Sequence, residues 1–274
     1  MVVQHNLTAM NSNRMLGLTT KTQAKSTEKL SSGYKINRAA DDAAGLAISE
    51  KMRRQIRGLT QASTNAQDGI SCVQTAEGAL NEVHDMLQRM NELAVKAAND
   101  TNMSEDRSYI KSEIDALVDE IDRVSATTSF NNQMLLSGTF TGKKLQVGSE
   151  TESQNQITIS IAAMDATSLG VAKANVEVAS NGDALNAIKA IKSAITALSQ
   201  QRSDLGAVQN RLEHTINNLD NVVENTTSAE SAIRDTDMAR EMVKYSNNNI
   251  LAQAGQAMLA QANQANSGVM SLLQ

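Results

Sequence analysis

The sequence predicts a mostly α-helical fold, a long antiparallel helical coiled-coil rod with paired terminal helices and a small β-hairpin region. Three observations lead to this prediction. The 274 residues contain no proline, whereas about 5% is usual, and proline breaks helix interiors. Hydrophobic residues recur at heptad spacing over two long stretches. The last thirty residues carry no Asp, Glu, Lys or Arg.

The chain begins with a weakly charged segment, residues 1–33, in which Val3, Leu7 and Met10 have helical spacing. Ser31, Ser32 and Gly33 then predict the end of this first helix. Asp41 and Asp42 stand before the next periodic stretch, where N-cap residues are expected.

A long helix is predicted over about 43–99, with a seam suited to packing along a partner helix. Its seam residues are Ile48, Met52, Ile56, Leu59, Ala66, Ile70, Val73, Leu80, Leu87 and Ala94. A turn at 99–102 separates it from a second helix that starts at Ser104 and runs to about Ser125. Most of the thirteen methionines fall on helical seams, which predicts that they pack in the core.

The middle of the chain, about 138–182, has alternating rather than helical periodicity. Leu145 and Val147 alternate with polar residues, and so do Ile157, Ile159 and Ile161, which predicts a β-hairpin. Heptad spacing resumes near residue 183 and continues for about 40 residues. Its apolar members are Ile188, Ile191, Ile195, Leu198, Leu205, Leu212, Ile216, Leu219 and Val223.

The uncharged segment 245–274 predicts a helix enclosed by copies of itself, because a lone surface helix normally has a charged face. The first 20 residues are similar, so we expect the two chain ends to form one antiparallel pair. Residues 1–42 with 241–274 are therefore predicted to form a terminal-helix domain. Residues 43–240 form the helical rod, with the hairpin at about 138–182.

The composition excludes several classes of function. A net charge of −5 does not suit a nucleic-acid binder, no apolar run is long enough to span a membrane, and the N-terminus has no secretory signal pattern. The single cysteine, Cys72, excludes an intramolecular disulfide. His5, His84 and His214 stand in no catalytic or metal-binding motif, so we expect no enzyme activity, catalytic residue, metal or cofactor.

Long blocks of the chain resemble the bacterial flagellin family. They include KLSSGYKINRAADDAAGLAISEKMRRQIRGL (29–59), EIDRVSATTSFNNQMLLSG (120–138) and the block 205–274, which contains SAESAIRDTDMAREM. The resemblance covers about four-fifths of the chain. The middle of the chain differs from the family, because larger flagellins carry outer domains there and this chain has only a short hairpin region. The resemblance implies that the termini form the inner tube of a hollow filament that serves swimming motility.

The resemblance also implies the location and the partners. The protein would be secreted by the flagellar type III route without a cleaved signal peptide and would reside in the extracellular flagellar filament. Its partners would be copies of itself, an export chaperone at the C-terminal segment, the filament cap and hook-associated proteins. A host Toll-like receptor for flagellin would be a further partner.

The resemblance also implies a receptor-contact and subunit-packing patch at the family motif L-Q-R-x-x-E-L, to which a nearby helix adds one contact. We call this set the Arg89 patch; it comprises Leu87, Gln88, Arg89, Glu92, Leu93 and Glu113. Many relatives have an arginine four residues after that last glutamate, where this chain has Leu117.

Other interpretations remain open at this point. A hook–filament junction (hook-associated) protein has similar ends but does not form long filaments. A flagellin with an enzymatic insert would need a domain between about 140 and 180, where there is no room. A soluble coiled-coil adaptor would have charged termini, which this chain lacks.

Overall fold

The structure, a computed structural model, describes the backbone of residues 6–272 and the side chains of residues 6–265. Its five long helices are α1 (Leu7–Ser32), α2 (Ala43–Ala97), α3 (Ser104–Thr127), α4 (Asn181–Arg234) and α5 (Met238–Leu272). Its strands are β1 (Ser129–Phe130), β2 (Gln133–Met134), β3 (Lys143–Gln146) and β4 (Gln156–Ile159). The predicted fold class is confirmed. The expectations for Val3 and His5, and for the last two residues of the chain, lie outside the described residues.

The predicted helix boundaries have local causes. Gly33 ends α1 in the left-handed conformation, with φ of 76°, which glycine adopts without a steric penalty. Its N–H donates to the Lys29 carbonyl at 2.9 Å. At the start of α2, the Asp42 carboxylate accepts a hydrogen bond from the Gly45 N–H at 2.9 Å, as expected of an N-cap.

The chain divides into two compact units, residues 57–223 and the two terminal stretches up to 56 and from 224. Both α2 and α4 contribute residues to each unit. The division predicted from the sequence has its boundaries at 42/43 and 240/241, close to the starts of α2 and α5.

Helices α2, α3 and α4 build the core of the unit 57–223. The α2 residues spaced by seven are all buried, and so are their counterparts on α4. They are Leu59, Ala66, Val73, Leu80, Leu87 and Ala94 on α2, and Ile191, Leu198, Leu205, Leu212 and Leu219 on α4. Contacts of Ser63 with Asp220 and of Asn181 with Ala98 show that these helices are antiparallel. The predicted seams are therefore confirmed within this unit.

The predicted hairpin is also present. β3 and β4 pair antiparallel, with Lys143 opposite Ile159 and Gln146 opposite Gln156. The Asn65 side chain of α2 donates to the Gln146 carbonyl at 3.0 Å. The hairpin therefore packs directly on α2.

A second, smaller hairpin was not predicted. β1 and β2 pair antiparallel across Asn131 and Asn132, whose φ angles are 46° and 63°. Positive φ at both central residues is the requirement of a tight type I′ hairpin turn, and asparagine tolerates it well.

The segment 160–180 has no strand or α-helix but buries many apolar side chains. These are Ile161, Met164, Leu169, Val171, Val176 and Val178. Acidic residues of α3 hold the segment in place: Asp122 accepts from the Ala166 N–H at 2.8 Å, and Asp119 accepts from Lys173 at 2.7 Å.

In the other unit, α1 and α5 lie side by side and antiparallel, and we call them the terminal pair. The Asn6 side chain donates to the Ala262 carbonyl at 3.0 Å, and the Ser26 hydroxyl donates to Glu241 at 2.6 Å. The predicted pairing of the terminal helices is confirmed for the residues that the structure describes.

Candidate functional site

The terminal pair carries its apolar side chains on the outside. Among its described side chains, only Ser26, Glu241 and Ala252 are buried. Ten large apolar residues are at least about half exposed: Leu7, Met10, Met15, Leu18, Met238, Met242, Val243, Ile250, Leu251 and Met258. An exposed apolar surface of this kind marks an interaction site.

This exposure corrects one expectation. The methionines were expected to pack in the core, yet seven of the eleven whose side chains the structure describes are exposed, five of them on the terminal pair. Ile48, which was placed on the α2 seam, is exposed as well. Periodicity identifies an apolar face, but it does not tell whether the same chain covers that face.

A buried carboxylate lies inside the terminal pair. Glu241 on α5 accepts the Ser26 hydroxyl of α1, and this hydrogen bond, together with the nearby Lys244 and Lys29, lowers the pKa of the Glu241 carboxyl. The negative charge therefore stays on Glu241 at neutral pH and fixes the register of the two helices.

Short linkers next to the terminal pair are tied together by hydrogen bonds. The Lys35 N–H donates to the Arg234 carbonyl at 2.6 Å, and the Thr236 N–H donates to the Gly33 carbonyl at 2.9 Å. The Arg234 guanidinium lies 4.7 Å from the Tyr34 ring centroid and 2.7 Å from a Glu50 oxygen.

Asp41 anchors the same region. Its carboxylate lies 2.7 Å from Lys25 Nζ and accepts the N–H groups of Arg38 and Asn37. The hydrogen bond from Lys25 is the largest cause of the lowered pKa of Asp41, which is about 2. Asp41 was expected to cap α2, but Asp42 takes that role. Ser26, Glu241 and Arg234 were not identified from the sequence as interacting residues, because their partners are distant in the chain.

The exposed part of the Arg89 patch is an ion-pair network between α2 and α3. Arg89 Nε and Nη2 donate to one Glu113 oxygen at 3.0 and 2.8 Å, and Nη1 donates to Glu92 at 3.1 Å. These carboxylates raise the pKa of Arg89. Gln88 is exposed and contacts His84 at 3.1 Å between their Nε2 atoms.

Two members of the Arg89 patch are not at the surface. Leu87 and Leu93 are buried, with 0% and 3% exposure, so their side chains belong to the core beneath the network. Leu117 is partly buried and packs on the same core. The structure thus brings together Arg89, Glu92 and Glu113 at the surface, with the two leucines supporting them.

Among the side chains that the structure describes, no three His, Cys, Asp or Glu residues are grouped to hold a metal ion. Burial raises the pKa of the Cys72 thiol, which makes it a poor nucleophile. Within residues 6–272, none of the helices contains the extended, weakly charged apolar stretch that a membrane-spanning segment needs.

Comparisons with known proteins cover nearly the whole chain. Residues 3–141 match the family profile of the bacterial flagellin N-terminal helical region, and residues 188–273 match that of the C-terminal helical region. A flagellin of Halalkalibacterium halodurans is 54% identical over the full length of both chains. A flagellar filament 31.3 kDa core protein of Treponema maltophilum is 49% identical, and a flagellin of Bacillus subtilis is 48% identical, again over the full lengths.

Proposed function

The chain belongs to the bacterial flagellin family and is a structural subunit of the flagellar filament rather than an enzyme; from this premise we propose that it assembles through its terminal pair. Copies of the pair then form the inner tube of the filament. In this proposal residues 1–42 and 241–274 form the tube, and residues 43–240 form the rod around it.

The observation that carries the proposal is the inverted polarity of the terminal pair. Its buried side chains are Ser26, Glu241 and Ala252 among those that the structure describes, while ten large apolar residues face outward. Burying one such side chain contributes about 1.5–3 kcal/mol. Neighbouring copies can supply this burial, which the pair does not obtain from its own two helices.

Hydrogen exchange tests this proposal. Ordering a backbone costs about 1–2 kcal/mol per residue, so the terminal pair should exchange rapidly in the free subunit and slowly in the filament. The unit 57–223 has its own apolar core and serves as the internal control, with slow exchange in both states. Strong protection of α1 and α5 in the free subunit would contradict the proposal.

The exposed apolar face of α5 also supports a proposal about export. Before assembly, a chaperone would cover this helix, and the chain would leave the cell through the flagellar type III route. The filament cap and hook-associated proteins would contact the subunit at the filament ends. Co-elution of the purified subunit with the chaperone, lost when residues 245–274 are removed, would support the chaperone step. Co-elution of the shortened chain would contradict it.

A second proposed function is recognition by the host Toll-like receptor for flagellin. The supporting observation is that Arg89, Glu92 and Glu113 form a fixed, exposed network on two helices. A planar guanidinium held by carboxylates is a suitable interface anchor. Binding of the receptor ectodomain to the free subunit tests this function separately from filament assembly.

A hook–filament junction protein remains the alternative to a filament subunit that elongates. The two roles differ in the number of copies that add to a seed. A junction protein adds in few copies, whereas a filament subunit continues to add to the growing end. Seeded growth of the purified chain therefore distinguishes them.

A further inference from the structure

Five methionines of the terminal pair are exposed in the single chain. Their exposed fractions are 65% for Met10, 50% for Met15, 49% for Met238, 55% for Met242 and 62% for Met258. By contrast, Met90 and Met164 in the core of the unit 57–223 are 0% and 4% exposed. The thioethers of the terminal pair are therefore open to reagents in solution, as are those of Met103 and Met134 in the unit 57–223.

The two most exposed of these five lie at the same level of the pair. The hydrogen bond from Asn6 to Ala262 sets the antiparallel register of α1 and α5. One helical turn inward from this bond, Met10 on α1 is level with Met258 on α5. Oxidation at this level would change both helices at once.

We propose that these five methionines are a peroxide-sensitive modification site of the unassembled subunit, and that their conversion to methionine sulfoxide blocks filament assembly. The inference rests on the proposed role of the terminal pair in assembly. In the reaction, each thioether sulfur takes one oxygen atom from hydrogen peroxide, which is reduced to water. The sulfur is oxidised to the sulfoxide, and no other group is lost.

The block has a physical cause. A thioether is apolar and flexible and packs well at interfaces, whereas a sulfoxide is polar. Burying a polar group without a hydrogen-bond partner is unfavourable, and the sulfoxide would take the place of an apolar group where copies of the terminal pair meet. The modification is reversible, because methionine sulfoxide reductases restore the thioether. In the filament, neighbouring copies cover the same sulfurs and protect them.

The experiment compares assembly before and after mild treatment with hydrogen peroxide. It uses the wild-type chain, a variant with all five methionines changed to leucine, and a matched control with Met103→Leu and Met134→Leu. The two control methionines are also exposed but belong to the unit 57–223. Each protein is compared with its own untreated sample, so any effect of the substitutions on assembly cancels.

Peroxide should raise the critical concentration for assembly about tenfold in the wild type and in the control variant. The five-leucine variant should change by less than about twofold. An equal rise in the five-leucine variant would overturn the inference, and so would unchanged assembly of the oxidised wild type. Failure of the untreated wild type to form filaments would instead refute the proposed function.

A second measurement applies if the five-leucine variant does not assemble. Mass spectrometry of the oxidised wild type should place oxygen on the five methionines and not on Met90 or Met164. Sulfoxide reductase should then restore assembly. Oxygen confined to other methionines, or a reduced protein that still does not assemble, would overturn the inference.

Discussion

Ser149, at the loop of the β3–β4 hairpin, lies against the backbone of Gly58 in α2. A Cβ atom on Gly58 would be 2.8 Å from Ser149 Cβ and 3.3 Å from Ser149 Cα. A Cβ atom essentially never comes as close as 2.8 Å to another heavy atom, and 3.3 Å is a tight contact. Neither Ser149 atom can move without the hairpin backbone. The absence of a side chain at Gly58 therefore lets the hairpin approach the helix.

Gly58→Ala should destabilise the protein, because the hairpin loop must move away from α2. Overpacking typically costs 1–3 kcal/mol, whereas alanine gains about 1 kcal/mol over glycine in a helix. We expect a net loss of about 1 kcal/mol in the free energy of unfolding, measured by urea denaturation.

Gly78→Ala is the matched control in the same helix. Apart from its chain neighbours and the backbone of its own helix, no atom lies within 4 Å of the Cβ position, so only the helix propensity changes. Stability should rise by about 0.5–1 kcal/mol. Equal effects of the two substitutions would show that the Gly58–Ser149 contact has no energetic consequence.

Acid should weaken the unit formed by the two terminal stretches, residues up to 56 and from 224, through Asp41. The pKa of Asp41 is about 2 in the folded chain, against an ordinary value of 3.8. Because the folded value is lower, the carboxylate stabilises the fold above pH 3.8, and this contribution is lost as the pH falls towards 2. The lowered pKa values of Glu50 and Glu241 act in the same direction.

The measurement is the melting temperature of the assembled filament, in which the terminal pair is ordered, by circular dichroism between pH 5 and pH 2. Asp41→Asn should lower the melting temperature at pH 5 and reduce its dependence on pH below 4. Asp85→Asn, at an exposed position of α2, makes the same change in charge and should retain the wild-type slope. If the melting temperature of Asp41→Asn depends on pH as strongly as that of the wild type, other carboxylates cause the acid sensitivity.

Arg89→Ala should weaken binding of the receptor ectodomain to the free subunit about tenfold, as expected for an interface anchor. The melting temperature should change little, because exposed ion pairs contribute little to stability. Arg123→Ala is the matched control, since Arg123 on α3 is exposed and pairs with Glu120 as Arg89 pairs with Glu92. Equal affinities of wild type and Arg89→Ala would remove Arg89 from the receptor site. Absence of binding by the wild type would remove the whole patch, with Leu117 the first residue to test.

The sequence predicted the elements whose pattern is local and repetitive. Leu80 and Leu87 on α2, and Leu198 and Leu205 on α4, repeat at seven-residue spacing, and this spacing specifies a helix–helix seam wherever it occurs. The β3–β4 hairpin was predictable for the same reason, because its alternation extends over several residues.

The remaining features depend on contacts between distant residues. Strands of two residues carry no alternation, so the hairpin at Asn131 and Asn132 had no recognisable pattern. The segment 160–180 is fixed by Asp119 and Asp122 of α3, which look like ordinary surface charges in the sequence. The seam predicted that Leu87 is buried, but the motif of the Arg89 patch did not indicate that Leu93 is buried as well.

The most direct test of the account is electron microscopy of seeded assembly, with the intact chain and a chain lacking residues 245–274. We predict long filaments that continue to grow from the intact chain. The shortened chain should form none, while circular dichroism shows that it stays helical and melts cooperatively, because the core of the unit 57–223 is complete without the tail. Normal filaments from the shortened chain would contradict the central claim that the terminal pair drives assembly, and an intact chain that adds only a few copies to each seed would indicate a junction protein.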